Sequence, residues 1–161
     1  MLTVADLMTL EPDVVTPDTS LLEVFERMKA DACRQFPVLD QDGQLVGIIT
    51  DRDLRLAMNS PLVLHARSED LLLLGAATVG AVMTPHPVTV SPDTPACQAA
   101  RMLSTYKFGA LPVLEKDELV GIVSVTDFLE YFADCFGERA DAAAASGDTR
   151  QTPPSGREEG G

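Results

Sequence analysis

The apolar positions of this chain fall into two kinds of run that alternate in a fixed order. Residues 14–16, 36–39 and 45–50 are short apolar stretches rich in β-branched side chains, the signature of strands. Between the first two, Leu21, Phe25 and Met28 recur at i, i+4 and i+7, which places them on one stripe of a helix. Pro17 stops the strand before it because it cannot donate to a ladder, and Ser20 with Glu23 has the spacing of a capping box. Asp40-Gln41-Asp42-Gly43 separates the other two strands as a hairpin turn, and a second helix is expected from Asp53 to Met58. The order is β-α-β-β-α.

The chain then does this again. Thr3-Val4-Ala5-Asp6-Leu7-Met8-Thr9 returns as Thr78-Val79-Gly80-Ala81-Val82-Met83-Thr84, 75 positions later. At the same shift Thr16-Pro17-Asp18-Thr19 becomes Ser91-Pro92-Asp93-Thr94, and Phe36-Pro37-Val38-Leu39 becomes Leu111-Pro112-Val113-Leu114. One residue is then deleted, and Leu45-Val46-Gly47-Ile48-Ile49-Thr50 reappears as Leu119-Val120-Gly121-Ile122-Val123-Ser124. Four segments matching in one order identify a duplication, and internal duplication decides architecture. The expected organisation is a first repeat at 1–58, a linker at 59–77 holding a short helix around 68–74, a second repeat at 78–136, and a tail. From about Gly137 no periodic apolar face remains, so residues 137–161 are expected to be disordered.

Composition narrows the function. Aromatic residues make up 5% of the chain and Trp is absent, so the core must be aliphatic. No apolar run approaches the length of a membrane span, and the first residues lack a signal-peptide pattern, so the expected location is the cytoplasm. Three cysteines without a C-x-x-C, and no histidine at a ligand interval, predict neither a disulfide framework nor a metal site. The net charge of −13, of which −11 lies ahead of Glu138, repels a polyphosphate backbone and argues against a nucleic-acid partner. No G-x-S-x-G elbow, Walker loop or Rossmann glycine pattern occurs, so no catalytic residues are assigned.

The candidate chemistry lies in Gly47-Ile48-Ile49-Thr50-Asp51-Arg52-Asp53 and its copy Gly121-Ile122-Val123-Ser124-Val125-Thr126-Asp127. Each reads as a buried strand running into a helix N-terminus, where backbone N–H groups and the macrodipole favour a phosphate. A hydroxyl there adds a donor, and an Asp one turn on accepts from a ribose diol. The plainer reading is that Thr50-x-x-Asp53 and Ser124-x-x-Asp127 are capping boxes with Asp in place of Glu. His65, in the linker, and His86, between Pro85 and Pro87, are read as solvent-facing or loop residues.

With Met8-Thr9, Thr16-Pro17-Asp18-Thr19, Phe36-Pro37-Val38 and the Gly-Ile-Ile-Thr-Asp-Arg-Asp run, each with a counterpart in the second repeat, residues 1–136 resemble the CBS domain family. The resemblance implies an α+β fold in which two β-α-β-β-α CBS repeats pack as one pseudo-two-fold module, the Bateman module, which commonly forms a flat dimer. It implies clefts that take AMP, ADP, ATP or S-adenosylmethionine. By the same resemblance, Asp53 and Asp127 hold the ribose, Thr50 and Ser124 meet the phosphate, and Thr16, Ser91, Ile48 and Ile122 frame the base.

Few cations are available for a long phosphate chain. Arg34 precedes Gln35 in the first repeat, whereas Gly109 and Ala110 stand there in the second, with Lys107 slightly earlier. AMP or S-adenosylmethionine is therefore expected in preference to ATP. Two readings follow. The first is a regulatory sensor acting on a separate partner protein in trans. The second is a ligand-free assembly module. For either, Leu54, Leu56, Met58, Phe128, Leu129 and Phe132 are expected to offer a surface for a homodimer.

Overall fold

The computed structural model describes residues 1–58, 72 and 74–145, with side chains to 137. The tight contacts divide the chain into Met1–Phe128, which holds both sheets, and the stretch from Leu129 onward. Most of the linker expected at 59–77, and the tail beyond 145, lie outside the described residues.

The first half contains a short 3-10 turn at Val4–Asp6, then β1 (Thr9–Leu10), α1 (Leu21–Asp31), β2 (Gln35–Leu39), β3 (Leu45–Thr50) and α2 (Asp51–Met58). The second contains α3 (Val79–Val82), β4 (Thr84–Pro85), α4 (Ala96–Tyr106), β5 (Ala110–Glu115), β6 (Glu118–Ser124) and α5 (Val125–Ala145). The duplication is exact in the core. Leu21, Val24 and Met28 are the buried residues of α1, and Ala96, Ala99 and Leu103, each 75 positions later, are those of α4. Val24 takes the innermost place on α1, while Phe25 packs only partly against the core. Both helices end on a left-handed residue, Ala32 (φ 50°) and Lys107 (φ 59°), a conformation common one step past a helix.

The antiparallel hairpin of β2 and β3 pairs Phe36 with Ile49, and that of β5 and β6 pairs Leu111 with Val123; all four side chains are fully buried. The two turns differ. In the first, Asp40 Oδ1 accepts from the N–H groups of Asp42 and Gln44, and Gly43 adopts φ 76°. In the second, Lys116 and Asp117 adopt φ 50° and 66°, the geometry of a two-residue hairpin turn. The deleted residue is lost at this turn. Residues 14–16, expected as a strand, and the corresponding stretch of the second repeat contribute one parallel bridge each, Val15 to Val38 and Val90 to Val113.

The largest departure from the linear reading is an exchange. The sheets run β2-β3-β4 and β1-β6-β5, so each repeat's first short strand completes the other repeat's sheet. The exchange extends into the cores. Val79, near the start of the second repeat, is fully buried in the cluster of Leu21, Phe36 and Ile49, whereas Val4 is buried with Leu103, Leu111 and Val123. Backbone bonds fix the same relation: Leu21 and Val79 donate to Ala77 and Thr19, while Ala96 and Val4 donate to Leu2 and Thr94. Asp6 anchors the N-terminal turn by accepting from the Thr3 amide and hydroxyl, and these bonds hold its carboxyl below the ordinary carboxylate range. A third small cluster of Ile48, Ala110 and Ile122 joins the two sheets.

The helix α5 runs through Gly137 to Ala145, so residues 137–145 are helical where disorder is expected from the sequence. Ala is the strongest helix former, and the run contains Ala140 and Ala142 to Ala145; intrinsic propensity prevails there without an apolar stripe.

Candidate functional site

Both motif segments are strand-to-helix junctions with no intervening loop. Thr50 ends β3 and Asp51 begins α2, while Ser124 ends β6 and Val125 begins α5. In the first, Asp53 Oδ2 accepts from the Thr50 amide (2.9 Å) and hydroxyl (3.0 Å), and the Asp53 amide donates back to Thr50 Oγ1 (3.2 Å). In the second, Asp127 Oδ2 accepts from the Ser124 amide (2.6 Å) and hydroxyl (2.8 Å), and the Asp127 amide donates to Ser124 Oγ (3.3 Å). These are reciprocal capping boxes, as the plainer reading expects. They also spend part of the donor set of each helix start, since the Asp51 and Val125 amides are taken by the Arg34 and Gly109 carbonyls. The helix termini are thus only partly open to an anion.

What distinguishes these boxes from an ordinary cap is what the exchange places against them. Thr84, on β4, pairs with Ile48, and its hydroxyl donates to Asp53 Oδ1 at 3.5 Å. Thr9, on β1, pairs with Ile122. Each half-buried hydroxyl–aspartate pair therefore faces a strand from the other repeat, and Ile48 and Ile122 are buried beside it. Gly47 and Gly121 make the approach possible. A Cβ on Gly121 would lie 2.9 Å from the Thr9 carbonyl oxygen, and one on Gly47 would lie 3.1 Å from that of Thr84. The exchanged residues Thr84 and Thr9 were not singled out from the sequence. The signal available for them was a glycine inside each of two otherwise β-branched strands, which marks a close backbone approach.

Thr16 and Ser91 stand elsewhere. Both are exposed, and their amides donate to Thr19 Oγ1 and Thr94 Oγ1 in the turns that lead to α1 and α4. Their polar contacts are with those turns and not with either aspartate. Ser91 lines an open pocket of about 460 Å³ together with Thr94, Gln98, Met102 and Lys116. The pocket contains neither motif. In the first repeat the counterpart of Met102 is Arg27, whose guanidinium donates to the Val14 carbonyl and stacks over Phe36.

The CBS domain model matches residues 4–60 and 79–134. The chain belongs to the CBS domain family. A CBS domain-containing protein of Dictyostelium discoideum is 37% identical to it over 128 residues, which cover 79% of this chain and 88% of that protein. Among solved structures it is similar to CBSX2 in complex with AMP, at 30% identity and a TM-score of 0.69, covering 84% of this chain and 98% of that one. It is also similar to the CBS domain pair of protein MJ0100 in complex with 5′-methylthioadenosine and S-adenosyl-L-methionine, at 26% identity and a TM-score of 0.67, covering 81% and 99%. Both CBS repeats are thus present, in an α+β fold with two three-stranded sheets. A CBS pair is a regulatory rather than a catalytic module. Among the described residues no helix is long and apolar enough to cross a membrane, and no cluster of His, Cys, Asp and Glu is arranged to hold a metal ion.

Proposed function

We propose that this CBS pair is a cytoplasmic regulatory module that binds an adenosine-type ligand in the clefts beside Asp53 and Asp127 and acts on a separate protein in trans. The observation that carries the proposal is the contact of Thr84 with Asp53 across the exchange. It places a polar residue of one repeat at the hydroxyl–aspartate pair of the other, so a ligand seated there touches both repeats and is sensitive to their packing. Such a ligand shifts the module between packings in proportion to its differential affinity for them. The complexes of CBSX2 with AMP and of MJ0100 with adenosyl compounds support the ligand class. The roles proposed for the residues are ribose recognition by Asp53 and Asp127, phosphate or tail contact by Thr50 and Ser124, and an apolar wall from Ile48 and Ile122. Thr16 and Ser91 would frame the base only from the far side of their turns.

The chain's acidity favours AMP or S-adenosylmethionine over ATP, because a triphosphate meets the same repulsion several times. Isothermal titration of the whole chain with each of the three is expected to give the tightest binding for AMP or S-adenosylmethionine. Binding of ATP alone would reverse the charge argument, and no heat from any of them would remove the sensor reading.

A second reading, assembly, has its own observation. Of the six residues expected to face a partner, Leu54 is buried in the first core, Met58 packs partly against that core, and Phe128 packs partly against the second. Leu56, Leu129 and Phe132 remain, each more than 60% exposed. A homodimer through Leu129 and Phe132 of α5 is proposed. Sedimentation is expected to show twice the chain mass at micromolar concentration, and Phe132→Glu is expected to weaken that dimer by at least tenfold. A wild-type monomer at that concentration would dismiss it.

A further inference from the structure

The duplication makes the two clefts comparable residue by residue, and they are not chemically equal. After β4 the chain turns at His86 (φ 49°), whose amide donates to the Val46 carbonyl, and crosses through Pro87 and Val88 to the bridge of Val90 with β5. After β1 it turns in the same way at Glu11 (φ 46°), whose amide donates to the Val120 carbonyl, and crosses through Pro12 and Asp13 to the bridge of Val15 with β2. Each crossing starts beside the strand that leads to one motif, β3 or β6, and passes from that sheet to the other. The Asp53 side therefore receives His86 and Val88, and the Asp127 side receives Glu11 and Asp13 at the matching positions. Glu11, Asp13 and His86 are all exposed. The helix starts differ in the same sense, since Arg52 on α2 corresponds to Thr126 on α5. Arg34 before β2 and Lys107 before β5 give each crossing one basic residue near its landing strand, so they do not offset the difference.

We infer that the Asp53 cleft is the one that takes an anionic nucleotide, and that Glu11 and Asp13 exclude such a ligand from the Asp127 cleft. The inference rests on the nucleotide reading above and adds site selection to it. Two carboxylates on the crossing beside the Asp127 motif repel a phosphate through partly screened solvent, and together they are expected to lower affinity a few-fold. The Asp127 cleft remains suited to an adenosyl ligand whose tail is cationic.

The test exchanges the distinguishing residues. The backbone tolerates this, because Glu11 and His86 already share one left-handed conformation at equivalent positions. Isothermal titration with AMP is run on wild type, His86→Glu, and the double variant Glu11→His with Asp13→Val, each checked for a native circular-dichroism spectrum. The expected results are one AMP per chain in wild type, a measurably reduced affinity in His86→Glu, and two AMP per chain in the double variant. Two equivalent AMP sites in wild type, or a His86→Glu protein that binds as wild type does, would overturn the site selection while leaving nucleotide binding intact. Absence of AMP binding to folded wild type would remove both.

Discussion

Gly121→Ala is expected to destabilise the protein more than Gly47→Ala, although the two glycines are equivalent by duplication. At Gly121 the added methyl would lie 2.9 Å from the Thr9 carbonyl oxygen and 2.8 Å from Met8 Sδ. The first of these is backbone, so β1 must move off β6. At Gly47 the nearest atom is Met83 Sδ at 2.5 Å, while the Thr84 carbonyl oxygen is at 3.1 Å. A methionine terminus swings aside at little cost, and the backbone needs to give only a few tenths of an ångström. Overpacking of this kind costs about 1–3 kcal/mol, against which the stiffer unfolded chain returns about 0.4–1 kcal/mol. The expected net loss is about 2 kcal/mol at Gly121 and under about 1 kcal/mol at Gly47. Urea denaturation measures both from the midpoint at constant slope. Gly43→Ala separates this mechanism from backbone strain: a Cβ added there meets nothing within 4 Å, but the φ of 76° penalises any L side chain. Equal losses at Gly47 and Gly121, or none, would mean that the exchanged strands do not press on these glycines.

The same glycines show how far the sequence could be read. The duplication located both cores, both hairpins and both motif segments, because residues such as Leu21 and Ala96 or Phe36 and Leu111 keep their places at a constant shift. It did not reveal which sheet each first strand joins. Thr9–Leu10 and Thr84–Pro85 are two residues long and exposed, so they carry no alternation from which pairing could be inferred. A contiguous repeat reads as if it were closed on itself, and only three-dimensional packing shows Val79 in one core and Val4 in the other. Thr84 was missed for the same reason, since its significance lies 31 positions away at Asp53. The helical stretch past Gly137 was missed on different grounds: apolar periodicity reports burial, and an Ala-rich helix forms without it.

A capping box is not evidence of a ligand, and this chain supplies its own control. Thr3-x-x-Asp6 makes the same carboxylate bonds as Thr50-x-x-Asp53, but in a turn tied to Pro92 and Thr94 rather than at a strand–helix junction. The structural role of Asp53 and its proposed binding role are separable by two substitutions. Asp53→Ala removes the acceptor for the Thr50 amide and hydroxyl, and loss of such a cap costs about 1–2 kcal/mol. Asp53→Asn retains a carbonyl oxygen for the Thr50 amide, so its stability loss is expected to stay below about 1 kcal/mol. A ribose diol, in contrast, needs an acceptor for two donors, and a charged acceptor contributes about 1.5–3 kcal/mol, so both variants are expected to bind AMP at least tenfold more weakly. Thermal unfolding reads the two roles together. AMP at a hundred times its Kd stabilises wild type by about 2.7 kcal/mol, and Asp53→Asn is expected to lose at least about half of that gain at the same AMP concentration while keeping a nearly unchanged ligand-free midpoint. Asp6→Ala is expected to do the reverse, lowering the ligand-free midpoint and retaining the gain. If Asp53→Asn kept the full AMP stabilisation, Asp53 would be a cap and nothing more, and the nucleotide would have to be held by the hydroxyls and the crossing segments alone.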